Sequence, residues 1–178
     1  MWFRNQNLMR ASRSLAASSL LLAAVVLPLA GSAAAAVKPG DALPDLGTLD
    51  LDGTVPSLAG HVTLVDFWAS WCPPCKASFP VMAELNKKYA EKGVIILGIS
   101  VDEKANAYTN FIKRQTPPFI VVRDQAQKAA PAFGIPVMPT SYLIDRHGVV
   151  RYIHEGFYGN KSRDDYVSEI DALLAEKS

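Results

Sequence analysis

The stretch Leu64-Val65-Asp66-Phe67-Trp68-Ala69-Ser70-Trp71-Cys72-Pro73-Pro74-Cys75-Lys76 carries both cysteines of the 178-residue chain. Val62 to Trp68 is a short, mostly apolar run, the pattern of a buried strand. The cysteine pair follows at once. A helix is expected from about Pro73 to Glu91, because Phe79, Met82, Leu85 and Tyr89 recur at spacings of three and four. Pro80 is expected to kink it. Cys72 then stands at a helix N-terminus, where unpaired N–H groups and the positive end of the helix dipole stabilise a thiolate. Thiolate is the attacking species in disulfide exchange. Cys75, one turn into the helix, is close enough to attack the mixed disulfide that forms.

A lone C-x-x-C pair has other uses. Structural zinc needs about four ligands, and His61, His147 and His154 have no ligand-like spacing. Covalent haem attachment needs a His directly after the second Cys, where this chain has Lys76. A purely structural disulfide closing so short a loop contributes only roughly 2 kcal/mol. A redox pair is the favoured reading.

Outward from the motif, Val94 to Val101 reads as a second buried strand and Lys104 to Arg114 as a helix with Ala107, Tyr108 and Phe111 inward. Phe119 to Val122 is a short strand, and Ala126 to Phe133 is a short helix ended by Gly134. Thr140 to Ile144 and Val149 to His154 flank the turn Asp145-Arg146-His147-Gly148 and read as an antiparallel hairpin. Arg163 to Glu176 closes the chain as a helix with Tyr166, Ile170, Leu173 and Leu174 on one face. On the N-terminal side, Leu46 to Leu51 and Val55 to Leu58 flank Asp52-Gly53 and suggest a further hairpin. The β-α-β-α-β-α-β-β-α order implies an α/β fold, a mixed sheet with helices on both faces.

Residues 1–36 read as an export signal. Arg4, Arg10 and Arg13 open it, Leu15 to Ala30 is an apolar run, and Ala34-Ala35-Ala36 offers small residues for cleavage. An uncleaved membrane anchor is the alternative, although the run is shorter than the ~20 residues a spanning helix usually needs. Residues 37–178 suffice for one domain with its own core. An exported chain meets an oxidising compartment, where disulfides persist. The formal net charge of +1 gives no sign of a nucleic-acid partner.

From Leu64 to Lys76 the chain resembles the thioredoxin superfamily. The lead-in from Lys38, the segment Val94 to Asp102 and the stretch Gly134 to Gly156 are similar to its exported TlpA/ResA-like branch. The resemblance implies a thioredoxin fold with an N-terminal β-hairpin and an inserted helix-strand unit. It also implies a thiol–disulfide oxidoreductase, usually reducing, in the periplasm or on its membrane; no cofactor or metal is expected. Cys72 resembles the nucleophilic cysteine and Cys75 the resolving one. Asp66 resembles the buried aspartate that takes the Cys75 proton; otherwise it is a strand-end carboxylate facing water. Trp71 resembles the aromatic lid beside the nucleophile; otherwise it is core. Pro139 reads on residues alone as an ordinary trans loop proline, whereas the resemblance implies a cis one, with the Met138 backbone free to pair with an extended substrate segment. Trp71, Pro74, Met138 and Pro139 are thus the candidate substrate-contacting residues. Lys76 reads equally as a solvated helix residue or an electrostatic tuner.

Two departures stand out. Many exported relatives carry a Glu shortly after the second Cys, where Ser78 and Phe79 lie here. The acidic patch of relatives dedicated to cytochrome c maturation has no clear match. Two rival readings differ in class. A peroxiredoxin wants T-x-x-C, but position 69 is Ala69. A Cu(I)-binding module would use two soft thiolates but has no clearly placed Met or His to complete the site. Direction is hinted at by Pro73 and Pro74, which lack the N–H groups that would stabilise a Cys72 thiolate. A strong oxidant owes its power to a stabilised reduced form, so a reducing couple is expected here. It would be used as a monomeric reductase of protein disulfides, fed by a transmembrane thiol reductase, with apocytochrome c or copper-site proteins as clients.

Overall fold

In the computed structural model, which describes residues 36–176, five strands form one sheet. The strands are β1 (Val62–Trp68), β2 (Val94–Ser100), β3 (Ile120–Arg123), β4 (Thr140–Ile144) and β5 (Val150–Glu155). The helices are α1 (Pro73–Tyr89), α2 (Ala105–Gln115), α3 (Ala129–Phe133) and α4 (Asn160–Ala175). The strand order is β3-β2-β1-β4-β5. The first three strands run parallel, and β4 and β5 are each antiparallel to their neighbour. The mixed sheet and the inserted α2-β3 unit are as the sequence implies.

β1 is central and buried at every position, which is why it reads as a nearly continuous apolar run rather than an alternating one. Side-chain alternation divides it between two cores. Val62, Leu64 and Trp68 pack with Phe79, Met82, Leu85 and Tyr89 of α1 and with Tyr166, Ile170 and Leu173 of α4. Val65 and Phe67 point to the other side, among Leu97, Ile99, Phe133 and Tyr142. The predicted apolar stripe of α1 is therefore its buried face. Pro73 and Pro74 occupy its first positions, where a missing N–H costs nothing because the helix has no partner for it there. A short 3-10 turn, Ala90–Lys92, comes next and is closed by Gly93 at φ 78.

Phe111 is the buried anchor of the inserted helix α2, and Tyr108 adds a second ring, 6.1 Å from that of Trp68, whose hydroxyl donates to Val121 O at 3.1 Å. Phe111 lies 5.0 Å, centroid to centroid, from both Trp68 and Phe79. The insertion is thereby fixed to the last residue of β1 and to α1.

The expected N-terminal hairpin does not form. A 3-10 turn at Leu46–Thr48 is capped by Asp45, which accepts from Gly47 N–H at 2.9 Å. Asp52 makes an isolated bridge to Arg123 on β3, and Ala42 one to Val149. The reason lies in what Asp52-Gly53 meets. The Asp52 carboxylate reaches the Arg123 guanidinium at 3.2 Å, and a Cβ at Gly53 would lie 2.8 Å from Val122. The turn chemistry lays the lead-in along the sheet edge rather than folding it onto itself. The expected export signal falls almost wholly outside the described residues. No helix among the described residues is long and apolar enough to cross a membrane.

Phe111→Ala removes the anchor of α2. The expected cost is about 3 kcal/mol of folding stability, measured by denaturant unfolding of the oxidised protein. A loss below about 1 kcal/mol would mean that α2 is held some other way.

Candidate active site

β1 delivers the chain to the site, and a short polar anchor fixes the loop beyond it. Asp102, buried just past the end of β2, accepts from Ser70 N–H at 3.0 Å, Ser70 Oγ at 2.8 Å and Ser100 Oγ at 2.8 Å. The Ser70 contacts hold the segment between Trp68 and Cys72. Cys72 N–H donates back to Ala69 O at 3.1 Å, and the backbone then enters α1.

Cys72 is the N-cap of α1, in extended conformation, and its Sγ accepts from Cys75 N–H at 3.3 Å. A sulfur here does what a Ser or Asp oxygen does at most helix starts. Pro73 and Pro74 have no N–H to add. The two cysteines are joined as a disulfide with Cα atoms 5.3 Å apart. Cys72 keeps a 4% exposed edge and Cys75 keeps none, so an incoming thiolate meets Cys72. Ser78 is buried and donates to Cys75 O at 2.8 Å.

Trp71 is 64% exposed, which rules out the core-packing alternative. One recess beside it, about 350 Å³, is lined by Ile135, Pro136, Val137 and Met138. A second, about 410 Å³, is lined by Asp102, Glu103, Lys104 and Ala107. Pro74 and Lys76 are exposed at the start of α1. The Met138–Pro139 peptide is cis. Thr140 Oγ1 donates to Val137 O at 2.6 Å, and Gly156 N–H donates to Pro139 O at 2.7 Å. Met138 packs against the core that contains Cys72 and Cys75.

Asp66 is 2% exposed, so it is not a strand-end carboxylate in water. It lies between Leu64 and Trp68 on the sheet face that carries α1 and α4. Burial pushes its carboxyl up to about 7, against the lowering effect of a 2.6 Å hydrogen bond donated by Ser141. Ser141 Oγ also lies 2.9 Å from the Tyr166 hydroxyl.

Sequence reasoning misses Ser141, Tyr166 and Asp102 as members of this region. A polar residue inside an apolar strand must find a partner, and that signal is present at Ser141. The three histidines stand apart. His61 Nδ1 bonds Gly93 O, His154 Nε2 bonds Glu169, and His147 sits in the β4–β5 turn. A further cavity, about 860 Å³, lies between the lead-in and Arg146-His147-Gly148. That turn is at the opposite end of β4 from Pro139, so this cavity is not part of the cysteine site.

Comparison with known proteins agrees with this geometry. Residues 38–174 match the Redoxin family. The chain is 38% identical over 114 residues to the thiol-disulfide oxidoreductase ResA of Bacillus anthracis, covering 62% of this chain and 66% of that protein. It is 33% identical over 134 residues to ResA of Bacillus thuringiensis subsp. konkukian, covering 74% and 78%. A thiol:disulfide interchange protein DsbE from Chlorobium tepidum superposes with TM-score 0.73 at 33% identity, covering 79% of this chain and all of that one.

The raised Asp66 carboxyl makes stability depend on pH. The folded group keeps its proton to about 7, the unfolded one only to the ordinary 3.8. Its stabilising contribution is complete below the unfolded value and is lost as pH rises through the folded one. Asp66→Asn lacks this dependence. Between about pH 3 and about pH 8 the variant gains on the parent by up to about 4 kcal/mol, read from denaturant midpoints at each pH. A parent-to-variant difference that stays constant with pH would contradict the assignment.

Proposed function

The chain belongs to the redoxin family and, within it, to the ResA-like thiol–disulfide oxidoreductases, and from that premise we propose that it works in the periplasm as a reductase of protein disulfides. The observation that carries the direction is that, among the described residues, the Cys72 sulfur has a single donor, Cys75 N–H, with prolines at the two positions between. A thiolate with few donors is a poorly stabilised one. A dithiol that gains little from ionising gives up its electrons readily.

In the proposed cycle the Cys72 thiolate attacks a client disulfide. It forms a Cys72–client bond and expels the other client sulfur as thiolate, which takes a proton from water. Cys75 then loses its proton to Asp66, and its thiolate attacks Cys72 Sγ. The Cys72–Cys75 bond forms, the second client sulfur leaves, and two electrons have passed to the client. Burial of Asp66 supports its role, since a carboxyl poised near neutrality can both accept and release a proton.

Trp71, Pro74, Met138 and Pro139 form the proposed client-facing surface. An extended client segment pairs there with the Met138 backbone, and its side chains enter the recesses beside Trp71. A transmembrane thiol reductase is the proposed source of the two returning electrons, because an oxidising compartment cannot keep such a dithiol reduced. Proteins bearing oxidised cysteine pairs, apocytochrome c or copper-site proteins among them, are the proposed clients. The proposed working form is a monomer, delivered by residues 1–36 as a cleaved signal or an anchor.

Reduced protein is expected to turn over insulin disulfides with a thiol donor, and Cys72→Ser to abolish that turnover. Cys75→Ser is expected to hold its client as a covalent adduct in a non-reducing gel. Turnover that survives in Cys72→Ser would exclude the mechanism. Pro74→Ala returns one backbone donor to the start of α1 and is expected to raise the reduction potential by about 30 mV. An unchanged or lower potential would remove the prolines from the account of direction.

A further inference from the structure

Two buried hydroxyls behind Asp66 have no place in the dithiol cycle. Ser141 lies in β4 directly opposite Asp66 in the β1–β4 register. Its Oγ is 2.6 Å from Asp66 Oδ1 and 2.9 Å from the Tyr166 hydroxyl on α4. Asp66, Ser141 and Tyr166 are all at most 2% exposed.

Counting protons gives this chain a direction. An ionised Asp66 has no proton to give, and a serine has only one. The short contact is therefore Ser141 O–H donating to Oδ1. With its proton committed, Ser141 can only accept from the tyrosine. Burial pushes the Tyr166 phenol up, and the Asp66 charge adds to the effect. It therefore stays a neutral donor while Asp66 titrates. The order is Tyr166 O–H to Ser141 O–H to Asp66 Oδ1, and each bond polarises the next.

We propose that Ser141 and Tyr166 are positioning residues that act through Asp66: their ordered hydroxyl chain occupies Oδ1, leaves Oδ2 to receive the Cys75 proton, and sets how tightly that proton is held. The inference rests on the reading of Asp66 as the Cys75 proton acceptor. Its logic is a balance of two opposed effects. Burial alone would keep the carboxyl protonated and useless as a base. Several donors would hold it ionised and make it too weak to take a thiol proton. One charge-assisted donor, itself fixed by a second hydroxyl, leaves it between these limits.

The other groups around the site do not take over this role. From α1 comes Cys75, the proton donor itself. From β2 comes Gly98, which has no side chain. From β5 comes His154, whose ring lies 4.8 Å from the Tyr166 ring and whose Nε2 is bonded to Glu169 of α4. Asp165 and Glu169 act on Tyr166 through their charge, so they bear on Asp66 only at one remove.

The test monitors the second of two thiol releases. Reduced protein is mixed with dithiobis-nitrobenzoate: attack by Cys72 frees one thionitrobenzoate, and attack by Cys75 on the adduct frees the other. The rate of the second release is measured against pH. In the parent it is expected to rise with a midpoint near 7, where Asp66 loses its proton. Ser141→Ala removes the donor to the charged form, so Asp66 holds its proton more tightly and the midpoint moves up by about one unit. Tyr166→Phe keeps the ring and moves it the same way by less. In a Ser141→Ala background, Tyr166→Phe is expected to add nothing, because its effect travels through the serine. Asp66→Asn is expected to flatten the profile.

A flattened Asp66→Asn profile, with both hydroxyl variants overlaying the parent, would overturn the inference and leave Asp66 in place. So would an equal Tyr166→Phe shift with and without Ser141. An Asp66→Asn profile identical to the parent would overturn the Asp66 reading and this inference with it.

Discussion

The hydrogen bond from Cys75 N–H to Cys72 Sγ joins the chemistry of this protein to its fold. It forms because β1 ends at Trp68, the loop is held by Asp102, and the backbone turns into α1 at the sulfur itself. A helix start leaves donors without partners, and here two of the first three residues are prolines that contribute none. The donor that remains both begins the helix and faces the sulfur proposed to carry charge in the reduced protein. Fold stability and thiolate stability therefore share one contact, and loosening the turn would alter both.

Behind that contact the sheet gives up some apolar burial to a carboxyl, the one proposed to accept the Cys75 proton. On the α1 face of β1, Leu64 and Trp68 are ordinary core, yet Asp66 sits between them. Burying a carboxyl costs free energy unless it is neutral or bonded. This one is close to the balance between the two, with a serine from β4 donating to it and a tyrosine from α4 bonded to that serine. A core position that breaks the local apolar rule is where a functional constraint is expected to show. The exposed Trp71 breaks the complementary rule on the surface, a large aromatic ring left in water next to Cys72 in the chain.

The parts legible in the sequence are those set by local pattern. β1, α1 and β4 are predicted by apolar runs and spacings that admit one reading, and the place of Cys72 at the head of α1 is given by their adjacency. The N-terminal hairpin is misread because Asp52-Gly53 is good turn chemistry whatever partner it meets, and the partner is Arg123, far along the chain. Ser141 and Tyr166 are invisible for a related reason. Alternation tells which residues face the core, but the pairing of Ser141 with Asp66 depends on the β1–β4 register. Tyr166 reads as one more apolar residue of α4 because its ring is core and only its hydroxyl reaches Ser141.

The central claim is that a thiolate supported by one backbone donor makes a reducing couple. Its most direct test is the equilibrium potential of the parent Cys72–Cys75 pair, measured against a thioredoxin or glutathione couple. The account predicts a value toward the thioredoxin end of the scale, about −270 mV. A value near about −120 mV, that of a strong oxidant, would contradict it.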